Sequence, residues 1–415
     1  MLFWQEIKKL AGSVVYVLFV AVLIMELSSQ GVFSFHDKLE EPQPGENYGI
    51  HNEEIPELVM PAAIKELFQE YTWNQYTTYP IGLYKNVKLK EKEKAQMAEI
   101  LSELTGIKAE RFSVEKDAEL QKGISEHEIA PRADLTYEEF KACMERADRL
   151  LGGGSDYAPD ALIGFGKVPV TYEDARVEYQ LVKDKDQFTG GYARLFSDYA
   201  GVMAMAILPV FLSVALCLKD RRNKMSQLVY SRKVSSAVLV GVRYAAILTV
   251  VMVPVVILAY YSNSKVWNLY EGMQLDYLAP LKYAFGWLLP SAMVSAAVGM
   301  FFTELTGTPI AIAVQCFWWF LDLNAGYKNI SSSYGLFRLA PRHNAGTLSR
   351  FRVLDFTSNF DRLVQNRLLM AGLALVLVVL TIFAYDWKRR GKIGERFKIR
   401  SVFAAAPDRK NKSAA

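Results

Sequence analysis

Residues 368–385 read LLMAGLALVLVVLTIFAY, an apolar run that contains no charged side chain. A helix of about 20 apolar residues is long enough to cross the hydrocarbon core of a bilayer, so this run predicts a transmembrane helix. Lys388, Arg389 and Arg390 follow it, and basic residues in this position are typical of the cytoplasmic end of a transmembrane helix.

The same reasoning predicts five further transmembrane helices, which gives an all-α membrane protein with six spans. Their positions are Leu10–Leu27, Tyr199–Leu218, Gly241–Tyr261, Tyr283–Phe302 and Pro309–Leu323. The first run follows two lysines and could instead be a cleaved signal peptide, but its length and its missing Ala-x-Ala site favour an anchor. The run at 309–323 is the weakest of the six because it is short.

Charge divides the chain into two kinds of sequence. Residues 28–198 carry 32 acidic and 20 basic residues, whereas the rest of the chain carries 12 acidic and 28 basic residues. The first part therefore predicts a large acidic domain outside the membrane, between the first and second spans. The basic residues of the second part cluster beside apolar runs, so we expect contacts with the lipid bilayer and none with nucleic acid.

Orientation follows from the lysines and arginines beside the spans. The connection at 219–235 has six basic residues and one acidic residue, and the tail from Lys388 has ten and two. Both are expected in the cytoplasm, and six spans place the N-terminus there as well. The pattern predicts a multi-pass protein of a bacterial plasma membrane, with residues 29–195 extracytoplasmic.

The loop at 324–367 does not fit this orientation, because six spans place it outside although it is basic. We expect it to face the acidic domain or lipid head groups. Its basic residues are Lys328, Arg338, Arg342, Arg350, Arg352, Arg362 and Arg367.

The extracytoplasmic domain is predicted to be mainly helical, with at most a small sheet. Three stripes of apolar residues occur at helical spacing after a linker-like stretch at 29–60. The stripes are Ile64, Leu67, Phe68 and Tyr71; Met97, Ile100, Leu101 and Leu104; and Phe140, Cys143, Met144, Ala147 and Leu151. The aromatic stretch between the first two stripes, Tyr71–Tyr84, could be a strand, a packed loop or a binding surface, and packing is favoured.

Capping residues predict where these helices begin and end. Pro61 is expected in the first turn of the first helix, and Gly106 ends the second. Thr136 and Glu139 form a capping box at the start of the third. A fourth, weaker helix is predicted to begin at Thr171.

Sequence signatures of catalysis are absent. The chain contains no phosphate-binding G-x-x-x-x-G-K-[ST] loop, no H-E-x-x-H motif and no G-x-S-x-G motif. Its four histidines are scattered, and its three cysteines give no disulfide framework. The sequence therefore predicts no enzyme activity, no metal and no cofactor.

The connection between the second and third spans, residues 218–245, reads LKDRRNKMSQLVYSRKVSSAVLVGVRYA. Met225, Leu228 and Val229 give it a short apolar face among polar and basic residues. Such a segment lies flat on the inner membrane surface. It is either a plain interfacial connector or a coupling helix that presses on a motor protein in the cytoplasm.

This connection resembles that of the permease subunits of type-two ATP-binding-cassette (ABC) exporters. Met225-Ser226 stands where the family has Gly-Thr, Leu228-Val229 matches its apolar pair, and Lys233 replaces a proline. The resemblance also covers the layout of one span, a large outer domain and five further spans. The corresponding boundaries are 1–28, 29–198, 199–387 with the coupling helix at 219–235, and a basic tail at 388–415.

The resemblance implies two partners, a separate ATPase subunit and a second permease subunit, identical or different. The ATPase would contact Met225, Ser226, Gln227, Leu228, Val229, Tyr230, Ser231 and Arg232. Basic residues at the membrane interface are Arg221, Arg222, Arg243, Lys388, Arg389 and Arg390, with Arg243 expected to extend to the near interface. A small-residue face made by Ser291, Ser295 and Gly299 would pack spans within or between subunits.

Two other classes of function are weighed against this one. A membrane-anchored sensor or binding protein would act through its outer domain without transport, but it normally carries a cytoplasmic output domain. A membrane-embedded enzyme needs polar catalytic residues clustered within the spans. The spans show few charges besides Glu26 and Arg243, both near ends, which argues against ion-driven transport and favours a permease driven by a partner.

Overall fold

The computed structural model describes residues 1–34, 38–80, 84–112, 124, 128–223, 225–231, 233–324, 334–342, 351 and 353–392. This part of the chain is mostly helical and has two large hydrophobic cores. One core holds a bundle of long apolar helices. The other belongs to a smaller domain, the helical domain, which comprises residues 50–184; Tyr179, Leu181 and Val182 near its end pack against the bundle core instead.

Most helices of the bundle follow the apolar runs of the sequence. They are α1 Leu2–Ala11, α2 Val14–Ser29, α8 Thr189–Tyr199, α9 Pro209–Arg222, α10 Ser226–Tyr230, α11 Ser236–Leu269, α12 Ala279–Tyr283, α13 Leu289–Thr306, α14 Ile310–Asn324, α15 Val353–Ser358 and α16 Phe360–Arg389. Short π-helical segments at Ala200–Met205 and Ala284–Leu288 continue α8 and join α12 to α13.

Three helices in the described part of the chain are long and apolar enough to cross a membrane. They are Ser236–Leu269, Ala279–Thr306 and Phe360–Arg389, and each contains one of the predicted spans. The number rises to five if each of two bent helix pairs counts as one span. The architecture is thus compatible with an all-α membrane protein with three to five such helices.

The first predicted span is bent rather than straight. Helices α1 and α2 meet at an angle of 65°, and the break lies at Gly12 and Ser13. The Ser13 hydroxyl accepts a hydrogen bond from the Tyr16 amide at 3.2 Å, so it caps a new helix. The prediction of a continuous Leu10–Leu27 helix was therefore wrong at its N-terminal end.

The second predicted span begins earlier than expected. Helix α8 starts at Thr189, ten residues before the predicted Tyr199, and the pair made by residues 189–205 and α9 is bent by 40°. Pro209 opens α9, where its missing amide hydrogen costs nothing. Helix α14 has 15 residues and would extend about 22 Å, short of the ~30 Å hydrocarbon core.

The helices predicted for this part of the chain are present in the helical domain, and most of their ends lie where they were predicted. It contains β1 Ile50–Asn52, α3 Pro56–Trp73, β2 Tyr76–Thr78, β3 Lys85–Val87, α4 Glu91–Thr105, α5 Ala109–Phe112, α6 Tyr137–Leu151, β4 Lys167–Pro169 and α7 Tyr172–Asp184. Capping boxes form at Thr136 and Thr171, and Gly106 and Gly152 end their helices with positive φ. Pro61 lies inside α3, because Pro56 opens that helix.

The aromatic stretch after α3 forms a packed hairpin of β2 and β3 (residues 81–83 lie outside the described part). β1 pairs with β4 in a second small antiparallel sheet. Tyr76 is buried beneath its hairpin, and the neighbouring Glu70 carboxylate accepts a hydrogen bond from the Tyr157 hydroxyl at 2.7 Å. Burial raises the pKa of Glu70.

Hydrogen bonds tie both ends of the inserted sequence to one end of the bundle. The Leu39 amide donates to the hydroxyl of Tyr270, which follows α11, at 2.7 Å. Downstream of α7, the Thr189 hydroxyl donates to the Asp276 carbonyl at 2.9 Å. We call this the domain end of the bundle. The connection at 219–235 lies at the opposite end.

Candidate functional site

The proposed coupling helix is a short helix, α10, between α9 and α11. Met225 and Leu228 are exposed, at 44% and 61%, whereas Val229 and Tyr230 are partly buried against the bundle core. The apolar residues thus point in two directions, two away from the bundle and two into it. The Ser231 hydroxyl donates to the Leu228 carbonyl at 3.0 Å and closes the turn.

For some of the predicted contact residues, the structure describes the backbone alone. Ser226 and Gln227 belong to α10, and Arg221 and Arg222 to the last turn of α9. Their side chains, like Lys224 and Arg232 as whole residues, lie outside the described part of the structure.

The inward residues of α10 rest on a small cavity at the end of the bundle. The ring of Tyr230 meets that of Tyr385 edge to face at 5.5 Å. Val229 and Tyr230 line a cavity of about 40 Å³ together with charged residues of four helices. These are Asp220, Arg243, Glu304 and Lys388.

Arg243 is the centre of a buried ionic cluster. The prediction that its side chain extends to the membrane interface was therefore wrong. The side chain is 3% exposed, and its Nη2 donates to the Asp220 carboxylate. Its Nε lies 3.7 Å from Glu6 and its Nη1 lies 4.0 Å from Glu304. Three carboxylates around one guanidinium keep it inside, because a buried charge needs opposite charge nearby.

Two lysines complete this cluster. Lys9 Nζ lies 2.7 Å from Glu6 and 3.9 Å from Asp220, and the buried Lys388 donates to the Glu304 carbonyl. The Arg243 cluster, defined as Glu6, Lys9, Asp220, Arg243, Glu304 and Lys388, therefore contains three acids and three bases. Its members come from α1, α9, α11, α13 and α16, so it joins five helix ends beneath α10.

The other residues predicted at the membrane interface differ in how deeply they are buried and in what they contact. Lys388 is 9% exposed and belongs to the cluster, which corrects its assignment to the membrane surface. Arg389 donates to the Val234 carbonyl at 2.6 Å and so holds α16 against the connection. Arg390 is exposed and pairs with Asp386 at 2.8 Å.

The predicted small-residue face of α13 is buried within this chain. Ser291 donates to the Leu339 carbonyl at 2.7 Å, and Ser295 to the Ile207 carbonyl at 3.4 Å. A Cβ atom on Gly299 would lie 2.6 Å from the Cβ of Ser213 on α9. Such close approach requires glycine, so α13 and α9 pack backbone to backbone at this point.

A second polar cluster lies toward the domain end and corrects the prediction for the basic loop. Arg338, Arg342 and Arg367 are buried at 6%, 8% and 6% exposure instead of facing the acidic domain or lipid head groups. Arg338 lies 3.9 Å from the Asp322 carboxylate, and Arg342 donates to the Leu323 carbonyl at 2.7 Å. Lys328, Arg350 and Arg352 lie outside the described residues.

Arg367 uses neutral oxygen acceptors. Its guanidinium donates to the Trp287 carbonyl at 2.9 Å, the Ser291 hydroxyl at 2.8 Å and the Leu339 carbonyl at 3.3 Å. It also donates to its neighbour Asn366. We call Asp322, Arg338, Arg342 and Arg367 the Arg367 cluster. It fastens residues 334–342 onto α13, α14 and α16.

Sequence reasoning missed most of these charges. Glu6 stands before the first apolar run, and Glu304 and Arg367 stand just past or before the limits of predicted spans, so each looked like an interface residue. Asp322 lies inside a predicted span and carried the one direct signal of a buried charge. The statement that the spans show few charges besides Glu26 and Arg243 thus left out Asp322, and it did not cover the buried charges just outside the predicted limits.

The described residues contain no group of His, Cys, Asp and Glu side chains that could hold a metal ion. Comparison with protein-family models, with curated proteins and with solved structures finds no match to this chain.

Proposed function

We propose that this chain is the membrane subunit of a type-two ABC exporter, which moves a substrate out of the cell with energy from a separate ATPase subunit. The proposal rests on the resemblance of the 218–245 connection and on the geometry around α10. The observation that carries it is an exposed apolar pair on a short helix seated on the Arg243 cluster, where five helix ends meet.

Contacts at the α10 end support the topology that the proposal needs. Lys219 Nζ donates to the Lys9 carbonyl at 3.1 Å, and the Ser236 hydroxyl donates to Asp386 at 3.1 Å. The N-terminal helix, the 219–235 connection and the C-terminal end of α16 therefore lie together. The six crossings of the proposal would produce this arrangement, with α14 and both bent pairs each counted as one. The many basic residues at this end favour the cytoplasmic side.

The exposure of α10 fits a docking element. Met225 and Leu228 point away from the bundle, where they can enter a pocket on a partner. Val229 and Tyr230 hold the helix against the bundle.

The Arg243 cluster supplies a path for mechanical coupling. A push on α10 reaches α16 through the contact between Tyr230 and Tyr385, and reaches α1 and α13 through Glu6 and Glu304. Buried, ion-paired helix ends move as a unit, so closure of the ATPase would tilt the helices as rigid bodies.

The second permease subunit is expected on a surface other than the small-residue face, which is filled within the chain. Helix α16 offers an apolar surface, since Leu375, Val376 and Val379 are about half exposed. Such a surface suits lipid or another subunit. The proposed location is the plasma membrane, with both termini in the cytoplasm.

Substitution of Leu228 tests the proposal. A charge on α10 removes the apolar docking contact, so Leu228→Asp is expected to abolish copurification of the ATPase with the tagged, detergent-solubilised full-length chain, as judged by mass spectrometry. The matched control is Leu58→Asp, because Leu58 is an exposed leucine on α3 of the helical domain. It should leave the ATPase bound.

Either of two results would overturn the proposal. One is unchanged ATPase recovery with Leu228→Asp while the chain still inserts and elutes as a single species. The other is labelling of a Leu228→Cys variant beyond that of the unmodified chain by a membrane-impermeant thiol reagent added outside intact cells, because α10 would then face the wrong side.

A further inference from the structure

A cavity lies at the domain end of the bundle, far from α10. Its volume is about 580 Å³, within the ~300–1,000 Å³ range of small-molecule sites. Residues from the start of α8, from α12 and its π-helical extension, and from α15 and α16 line it. None of the functions proposed above uses this cavity.

One wall of the cavity is apolar and opens toward the side of the bundle. Phe356, Phe360, Val364 and Leu368 lie along α15 and the first turns of α16. Phe360 is 48% exposed, Val364 38% and Leu368 68%, so the wall is continuous with the surface that faces lipid in a membrane. An acyl chain could enter from the bilayer without crossing the bundle.

The rest of the lining carries an excess of positive charge. Lys185, Lys282 and Arg367 face two carboxylates, Asp186 and Asp276. Both carboxylates are already paired, Asp186 with Arg194 at 2.6 Å and Asp276 with Lys282 at 2.6 Å.

Two cations of the lining, Lys185 and Arg367, therefore have no ion-pair partner in the cavity, although Asp322 partly offsets the charge of Arg367. Among the described residues, neither Lys185 nor the buried Arg367 has a carboxylate within salt-bridge distance. Lys185 is exposed at the rim and has donors free for a ligand, whereas the Arg367 donors are occupied by neutral oxygens and contribute charge alone. A cavity with this lining favours a negatively charged occupant.

We propose that this cavity binds an anionic phospholipid from the surrounding bilayer. The phosphate would lie between Lys185 and Lys282 at the rim, and an acyl chain would lie against Phe360, Val364 and Leu368. A soluble anion would leave the apolar wall unused, and a neutral lipid would leave the positive charge unused. Because the site needs neither the ATPase nor transport, the inference is independent of the proposed function.

Two variants of the full-length chain in detergent test the site, with phosphatidylglycerol and phosphatidylcholine as probes and bound lipid counted by native mass spectrometry. Lys185→Gln/Lys282→Gln is expected to weaken phosphatidylglycerol binding about tenfold or more, because each lysine near a phosphate strengthens binding severalfold. Gly286→Phe is expected to abolish it, since a Cβ there meets no atom within 4 Å and the ring would fill the cavity.

Matched controls keep the result specific. Lys92→Gln/Lys108→Gln removes two exposed charges of the helical domain, and Gly241→Phe adds a ring to open space on α11 at the opposite end of the bundle. Both should leave binding unchanged. Gly286→Leu replaces Gly286→Phe if the larger variant aggregates.

The proposal is overturned if phosphatidylcholine binds as tightly as phosphatidylglycerol, or if the lysine and Gly286 variants bind as the unmodified chain does. Equal competition by inorganic phosphate and by phosphatidylglycerol would identify a free-anion site and would also overturn it.

Discussion

The two buried polar clusters neutralise their arginines in different ways. In the Arg243 cluster, three carboxylates and three cations, Arg243 included, balance one another at five helix ends. Around Arg367, the acceptors are uncharged oxygens of backbone carbonyls, of the Ser291 hydroxyl and of the Asn366 amide, and Asp322 is the acid paired with Arg338. The first cluster depends on the signs of its charges, and the second depends on the directions of its hydrogen bonds.

Chain geometry explains the second arrangement. The last carbonyls of α14 have no partner within the helix, and Arg338 and Arg342 donate to those of Asp322 and Leu323. The helix end is also the negative end of its dipole, which favours cations there. A short helix such as α14 is thereby held in the bundle although its length falls below that of a typical span.

The largest effect is expected from removal of the central charge of the first cluster. Arg243→Met would leave the carboxylates of Glu6, Asp220 and Glu304 buried beside too few cations, at a cost of about 3–5 kcal/mol. Thermal unfolding of the purified chain in detergent, followed by tryptophan fluorescence, measures this cost. The control is Arg390→Met, which breaks an exposed pair worth at most about 1 kcal/mol. Equal melting temperatures for the two variants would show that the cluster is not held by charge.

Lysine substitutions sharpen the difference between the clusters. Arg367→Lys keeps the charge but loses the planar fork that reaches Trp287, Ser291 and Leu339, so we expect a loss of about 2–3 kcal/mol. Arg243→Lys keeps the charge among its carboxylates and should therefore cost less than Arg367→Lys. The same unfolding measurement compares them. If lysine is tolerated better at 367 than at 243, the distinction between charge and hydrogen-bond geometry is wrong.

An exposed pair in the helical domain gives the reference for ion pairs in water. Arg146 binds Glu103 at 2.6 and 3.0 Å and lowers the pKa of that carboxyl below its usual 4.5. Its contribution is therefore present above that value and lost as the pH falls through the lowered pKa. Glu103→Gln is expected to destabilise the domain by about 0.2–1 kcal/mol at pH 7, and by less at pH 3.

The buried thiol of Cys143, close to Glu103, reports this effect locally. Its rate of labelling by a small thiol reagent should rise severalfold or less in the variant at pH 7, whereas Lys108→Gln should leave it unchanged. Because thiol reagents react slowly in acid, unfolding by denaturant provides the comparison at pH 3. A larger loss at pH 3 than at pH 7 would contradict the sign of the pKa shift.

Local features of the fold could be predicted from the sequence because they depend on neighbouring residues. The apolar runs located the long helices, and the capping pairs at Thr136 and Thr171 located two helix starts. The bend at Ser13 was missed because one glycine and one serine are too few polar or small residues to divide an apolar run into two helices. The early start of α8 was missed because this part of the helix contains Arg194. A charged residue does not look buried in a sequence, and Arg194 is buried in an ion pair with Asp186.

The position of the candidate site could be predicted from the sequence, but the contacts between its residues could not. The pattern around Leu228 indicated a short segment between two spans, and the structure has a helix there. No local pattern indicates that Glu6 and Glu304 meet Arg243, since the three residues lie far apart in the chain. Contacts of this kind depend on the tertiary arrangement of helices, which spacing along the sequence does not encode.

The position of Glu6 in α1 and of Lys388 at the C-terminal end of α16 has a consequence for biosynthesis. During translation Glu6 emerges long before Arg243, and Lys388 emerges last of the cluster. Lys9 pairs with Glu6 on the same helix and Arg243 arrives with α11, so the cluster lacks one of its three cations until α16 arrives. Maturation of the bundle would then be a late, post-insertion step, and a chain stopped before α16 would be a substrate for quality-control proteases.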